Sequence, residues 1–208
     1  AMFWCNAAAF SEMGVDLPSA TDPISYDDWL QLAGDLTKRK GAQYQLYGLD
    51  PPFEVSLTAG LMNMVTSSGG SIFTNDFSRV DFSSPEARSA LSWYLKYAAA
   101  GVGPTVARAL PAGGYPTFSA DKLAMVGFGY WLSGQIAGDD KLQDHVQFRP
   151  APRFGSTRTS PCFAGTGMWI PKRSRTRSLP GPSSSTTSVA SLPSAGPSRV
   201  GDCPASPP

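Results

Sequence analysis

Ser25-Tyr26-Asp27-Asp28-Trp29-Leu30-Gln31-Leu32-Ala33-Gly34-Asp35-Leu36, followed by Tyr44-Gln45-Leu46-Tyr47-Gly48-Leu49, decides the fold class. Ser25 is a good N-cap, and Asp27 and Asp28 fall in the first turn, where the helix dipole favours negative charge. Trp29, Leu32, Ala33 and Leu36 recur at helical spacing, and Lys38, Arg39 and Lys40 are expected in the last turn before Gly41. Residues 44–49 read as a short strand. A helix feeding a strand is the repeating unit of an α/β chain.

The alternation continues on both sides. Asn6 can cap a short helix running through Met13, with Gly14 as its stop. Residues 54–65 read as an apolar helix ending near Ser67-Ser68-Gly69-Gly70, and residues 69–82 as a turn-rich stretch holding a small hairpin. Ser84, Pro85 and Glu86 start a further helix that Gly101 ends, with Ala87, Ala90, Leu91, Tyr94, Leu95 and Ala98 as its apolar stripe. Residues 118–123 lead into a strand at 124–128, 131–137 read as a short helix, and 163–170 as a strand interrupted by Gly165 and Gly167. No period-2 series is long enough for an all-β sandwich, so the class is α/β.

Composition narrows the function. The 208 residues carry 17 basic and 16 acidic side chains, a net charge of +1, which argues against a nucleic-acid binder that must displace counterions. No apolar run approaches the ~20 residues of a membrane span, and no signal-peptide pattern opens the sequence. Cys5, Cys162 and Cys203 lie far apart with no CxxC pair, so neither a zinc site nor a disulfide framework is expected. His145 is the single histidine, and no GxSxG, HExxH or GxxxxGK[ST] occurs. A binding protein without cofactor or metal is the default. Residues 177–208 are rich in Ser and Pro and hold no aromatic residue, a composition that predicts a disordered tail.

Motifs in order along residues 1–174 resemble the extracytoplasmic solute-binding proteins of ABC sugar importers, the maltodextrin-binding-like group. They are Met2-Phe3-Trp4-Cys5-Asn6-Ala7-Ala8-Ala9-Phe10 with Gly14-Val15-Asp16-Leu17-Pro18, then Pro23-Ile24-Ser25-Tyr26-Asp27-Asp28, Gly69-Gly70, and Phe82-Ser83-Ser84-Pro85-Glu86-Ala87. Phe118-Ser119-Ala120-Asp121-Lys122-Leu123-Ala124-Met125, Gly129-Tyr130-Trp131, Pro150-Ala151-Pro152, Ala164-Gly165-Thr166-Gly167 and Trp169-Ile170-Pro171-Lys172-Arg173-Ser174 complete the series. The resemblance implies a periplasmic-binding-protein-like (type II) lobe, a mixed sheet flanked by helices, with the first lobe largely missing. Residues 1–150 would be the second lobe, 151–176 the hinge crossing with a remnant of the first lobe, and 177–208 the tail. Near Thr176 the family pattern stops. A reading-frame slip there fits, since one permitted shifted reading of residues 180–189 looks like a family helix; a genuine linker is the alternative.

Sugars present apolar C–H faces rimmed by hydroxyls, so a site needs aromatic rings plus a few placed polar groups. By resemblance Trp131 lines the cleft, with Tyr130 beside it; an ordinary core tryptophan is the competing reading. Phe53 and Glu54 follow a Pro-Pro turn where the family places cleft contacts, although Glu54 equally suits a helix start. Gly165, Thr166 and Gly167 match the glycine-rich stretch facing the cleft, or mark a strand bulge. Trp4 reads as core.

The resemblance implies the substrate-binding component of an ABC transporter, a monomer outside the cytoplasm that captures a sugar or oligosaccharide and delivers it to a membrane permease. It implies no enzyme, no cofactor and no nucleic-acid partner. A carbohydrate-active enzyme such as a glycosidase would need two carboxylates ~5–9.5 Å apart across one cleft. Asp50, Glu54, Asp76 and Asp81 are available, but no motif pairs them. A third reading is a fragment without function.

Overall fold

A computed structural model of the chain describes residues 2–51 and 58–155. The chain divides into two compact units, residues 1–164 and 165–208, and the second lies wholly outside the described residues. The expected strand at 163–170 and the tail at 177–208 therefore also lie outside them.

In the first unit β1 (Met2–Asn6) leads into α1 (Ala7–Met13), followed by α2 (Tyr26–Asp35), β2 (Lys38–Lys40) and β3 (Gln43–Asp50). A wide π-helical turn at Thr58–Met62 runs into α3 (Asn63–Ser67), then α4 (Pro85–Ala100), α5 (Gly114–Ser119) and β4 (Leu123–Val126). The short helices α6 (Leu132–Ala137) and α7 (Asp140–Gln143) precede β5 (Val146–Pro150). The strands form one sheet in the order β2-β3-β4-β1-β5. β3 and β4 are parallel, and the other neighbouring pairs are antiparallel. This is the expected mixed sheet.

Local sequence explains the element starts. Asn6 Oδ1 accepts from the amides of Ala8 and Ala9, and Gly14 ends α1 in the left-handed conformation. Ser25 Oγ accepts from Asp28 N, and Ser84 Oγ from Ala87 N, with Pro85 at the first helical position. Each side chain satisfies an amide that the helix itself leaves open. The turn-rich stretch closes as expected into a small hairpin through the Phe73–Val80 bridge.

Three expectations are corrected. Lys38, Arg39 and Lys40 form the edge strand β2 rather than the last turn of α2, because Leu36 already ends the helix and Gly41 (φ 62°) turns the chain back into β3. Arg39 then stacks on Tyr44 at 4.2 Å and hydrogen bonds to the Gly101 carbonyl, where the C-terminus of α4 favours a positive charge. Exposed lysines on an edge strand also oppose edge-to-edge pairing.

The buried stripe of α4 is Ala87, Ala90, Trp93 and Tyr97, whereas Leu95 is 67% exposed. The polar tips decided the phase. Trp93 Nε1 donates to Tyr26 O at 3.0 Å, and the single Tyr97 hydroxyl proton is shared between Pro104 O at 2.7 Å and Leu49 O at 3.0 Å. Finally, β4 stops at Val126, two residues before the expected end, and α5, α7 and β5 are elements that periodicity did not reveal.

Alternation along β1 divides the core. Phe3 and Cys5 face a layer built from α1–α4, which contributes Phe10, Trp29, Met64, Ala90 and Trp93. Trp4, a core residue as expected, faces the other layer, with Phe118 of α5, Leu132 and Ile136 of α6 and Leu142 of α7. The sheet is thus buried on both faces, as an α/β architecture requires. Burial pushes the Cys5 thiol up to about 12, only partly opposed by the Arg149 charge, so it packs as a small apolar group.

Candidate functional site

Parallel strands expose their carboxyl ends together, and in open α/β sheets ligands bind beyond those ends. Here β3 and β4 end side by side, with Asp50 opposite Val126. Gly127 N donates to Asp50 O at 2.9 Å, so the pairing continues one residue past β4. From that edge the chain runs through Phe128, Gly129, Tyr130 and Trp131 into α6.

Tyr130 and Trp131 are 67% and 59% exposed, although both carry large apolar surfaces. Trp131 is not a core residue. Its ring tilts over Phe128, centroids 5.1 Å apart at 38°, and Phe128 is itself packed against the core beneath α6. The exposed indole therefore has a fixed support. Gly129 permits this arrangement. A Cβ there would lie 2.7 Å from Trp131 Cδ1 and 2.8 Å from Nε1, so any larger residue would push the ring off its seat.

Cavities of about 310, 330 and 370 Å³ lie elsewhere, against Asp16 and Asp35, against Ser25 and Phe154, and against Glu12 and Lys38 respectively. None includes Tyr130 or Trp131. Both rings are exposed to solvent. Among the described residues no group of three or more His, Cys, Asp or Glu is placed to hold a metal ion.

At the opposite end of β4, Asp121 joins three elements. Asn6 Nδ2 donates to its Oδ1 at 2.8 Å, and Lys141 Nζ bonds its other oxygen. Partial burial works to raise the Asp121 pKa, but the bonds from Lys141 and Asn6 and the charges of Lys141 and His145 outweigh it and hold the carboxyl below its usual range. This cluster ties the β1–α1 junction, the turn before β4 and α7 together.

The structure thus places Tyr130 and Trp131 in the loop that leaves the carboxyl end of β4. Phe53 and Glu54, which follow Asp50 by three and four residues, and Gly165, Thr166 and Gly167 lie outside the described residues. Phe128 and Asp50 also lie at this end; the sequence reading names Asp50 only among carboxylates that no motif pairs, and does not single out Phe128. Phe128 reads as strand in sequence, and only its position two residues past Val126 makes it the support of Trp131.

No family model and no curated protein matches the chain. Solved structures do. An ABC transporter solute-binding protein from Thermotoga lettingae, bound with alpha-D-tagatose, shares 22% identity over 75% of this chain and 40% of its own, with a TM-score of 0.59. An ABC substrate-binding protein from Listeria monocytogenes in complex with cycloalternan shares 24% identity over 73% of this chain and 37% of its own, TM-score 0.56. A cyclic alpha-maltosyl-1,6-maltose binding protein from Arthrobacter globiformis shares 21% identity over 75% and 38%, TM-score 0.57. The chain spans about 40% of the length of these proteins or slightly less. The resemblance read from the motifs holds at the level of fold: the chain has the type II periplasmic-binding-protein-like fold of ABC transporter solute-binding proteins, over part of their length.

Proposed function

We infer that this chain provides one lobe of a sugar-binding component of an ABC importer. The observation that carries the reading is the exposed Trp131, supported by Phe128 and flanked by Tyr130, at the carboxyl ends of the only parallel strand pair among the described residues. A ring held in this way covers the C–H face of a sugar, which a solvated loop residue does not. The sugars named for the structural neighbours supply the ligand class.

In this reading residues 1–150 form the second lobe and residues 151–176 the crossing to the first. Past β5, Arg153 forms a parallel bridge with Ser25, and Phe154 packs edge-on against Tyr26 at 5.3 Å. Ligand held between two lobes stabilises the closed form by its contacts to both, and closure is then the state offered to a membrane permease. The protein acts as a monomer outside the cytoplasm, without cofactor, and releases its ligand chemically unchanged.

The test is a titration of the chain with D-tagatose, maltose and cycloalternan, read by tryptophan fluorescence and calorimetry. Saturable binding that Trp131→Ala abolishes, with the melting temperature nearly unchanged, supports the reading. Retained affinity in Trp131→Ala overturns the site assignment. Cleavage of maltose or of a chromogenic glycoside during the titration overturns the binding-protein reading in favour of a glycosidase.

A further inference from the structure

We propose that the cavity at the start of α2 is a second binding site, which takes a small oxyanion, a carboxylate or a phosphate, between the Arg153 guanidinium and the Tyr26 hydroxyl; it stands apart from the sugar reading above. The cavity holds about 330 Å³, and Tyr26, Ser89, Arg153 and Phe154 are among its walls. Tyr26 carries the argument. The residue is only 6% exposed, and its hydroxyl has no hydrogen-bond partner among the described residues. A buried tyrosine hydroxyl ordinarily finds one. Nor is this hydroxyl sealed in the core: among the described residues the sealed side-chain polar atoms without a partner are the indole nitrogens of Trp4 and Trp29. The Tyr26 hydroxyl therefore meets solvent, and the cavity that the residue lines is where it does so. Its ring is fixed edge-on against Trp29, Trp93 and Phe154.

The opposing wall is equally set. Arg153 N donates to Ile24 O at 2.7 Å, and Arg153 O accepts from Tyr26 N at 3.2 Å, so the backbone is held on both sides. The Arg153 side chain has neither a hydrogen bond nor an ion pair among the described residues, which leaves all five guanidinium donors available. Gly155, at φ 73°, brings the following backbone against the end of α3, where a Cβ would lie 2.9 Å from Ser68 Oγ. The free groups are thus mainly donors: the Arg153 fork, the Tyr26 hydroxyl and the Ser89 hydroxyl. A planar guanidinium fork matches the paired oxygens of a carboxylate or phosphate. Burial raises the Tyr26 pKa, so its hydroxyl keeps its proton and can donate. Asp27 is the one acid lining the cavity, and Lys96 Nζ at 3.8 Å opposes its charge.

The experiment is calorimetric titration of the full chain with inorganic phosphate and with acetate, at constant ionic strength with chloride as background anion. Wild type should bind at least one of them saturably at a single site, and the preferred anion distinguishes a phosphate ligand from a carboxylate. Arg153→Met should weaken binding about tenfold or more, and Tyr26→Phe, which removes only the hydroxyl, about threefold to tenfold. Arg79→Met, a control at an arginine that does not line the cavity, should leave affinity unchanged. The proposal is overturned if wild type binds neither anion, if Arg79→Met weakens binding as much as Arg153→Met, or if folded Tyr26→Phe binds as wild type does. Should circular dichroism show Tyr26→Phe unfolded, Arg153→Met against Arg79→Met decides. None of these outcomes bears on the Trp131 assignment, which the sugar titration tests.

Discussion

On one face of the sheet, α2 and α4 bring Tyr26, Trp29, Trp93 and Tyr97 into a single aromatic cluster. Tyr26 meets Trp29, Trp93 and Phe154 edge-on at 5.6, 4.9 and 5.3 Å. On the other face α5, α6 and α7 have six, six and four residues, and the first two begin without a side-chain cap. The chain's aromatic surface is spent inward on the first face and partly outward on the second, where Tyr130 and Trp131 remain exposed. Long capped helices form a unit that resists local opening. Short uncapped ones on a packed sheet give a loop end where a ring can face solvent without the fold depending on it.

That contrast can be broken by direct measurement. Trp93→Ala should be the most damaging change, costing about 3–5 kcal/mol in denaturant unfolding, since it empties a buried site and removes a hydrogen bond to the Tyr26 carbonyl. If Trp131→Ala cost as much, the distinction between the two faces would be wrong; its exposure predicts a change within about 1 kcal/mol. Asn6→Ala comes next, at about 1–3 kcal/mol. It removes the cap of α1 and, from a buried position, the bond to Asp121. Smaller still is Ser84→Ala, at about 1 kcal/mol by thermal unfolding, because one capping bond to α4 is lost.

The pH dependence sharpens the comparison between the two ends of β4. The Asp121 carboxyl lies below its usual range when folded, so the ionised form binds Lys141 and Asn6 at neutral pH and contributes stability there. That contribution is lost as the pH falls through the acid range in which carboxylates titrate. Asp121→Asn should flatten the acid limb of the stability curve and leave the near-neutral slope unchanged. The smallest expected effect is Leu95→Lys, within about 0.5 kcal/mol, because Leu95 points out of the stripe that periodicity assigned to it.

Alpha-helix starts were legible because each depends on one side chain reaching an amide two or three residues away, as Asn6, Ser25 and Ser84 do. The phase of α4 was not. Leu95 and Trp93 both satisfy a helical pattern, and a hydropathy ranking prefers the leucine. Trp93 and Tyr97 won because each buries a large ring and also delivers its polar tip to a carbonyl on another element. The basic run Lys38–Lys40 misled for a related reason: charge placement suits a helix end and an edge strand equally. Trp131 was legible as a site candidate through its resemblance to a family motif and its place after a strand end; Phe128 beneath it was not, since its support role exists only where β4 stops.

By itself, the sequence determined the α/β class, the helix caps and the glycine stops, because these rest on contacts within a few residues. Tertiary structure decided which rings go inward, which strand lies at the sheet edge, and that Phe128 seats Trp131 just past the end of β4. Those outcomes depend on hydrogen bonds and packing between residues tens of positions apart, such as Gly127 with Asp50 and Tyr97 with Leu49, and no local pattern encodes such a pairing.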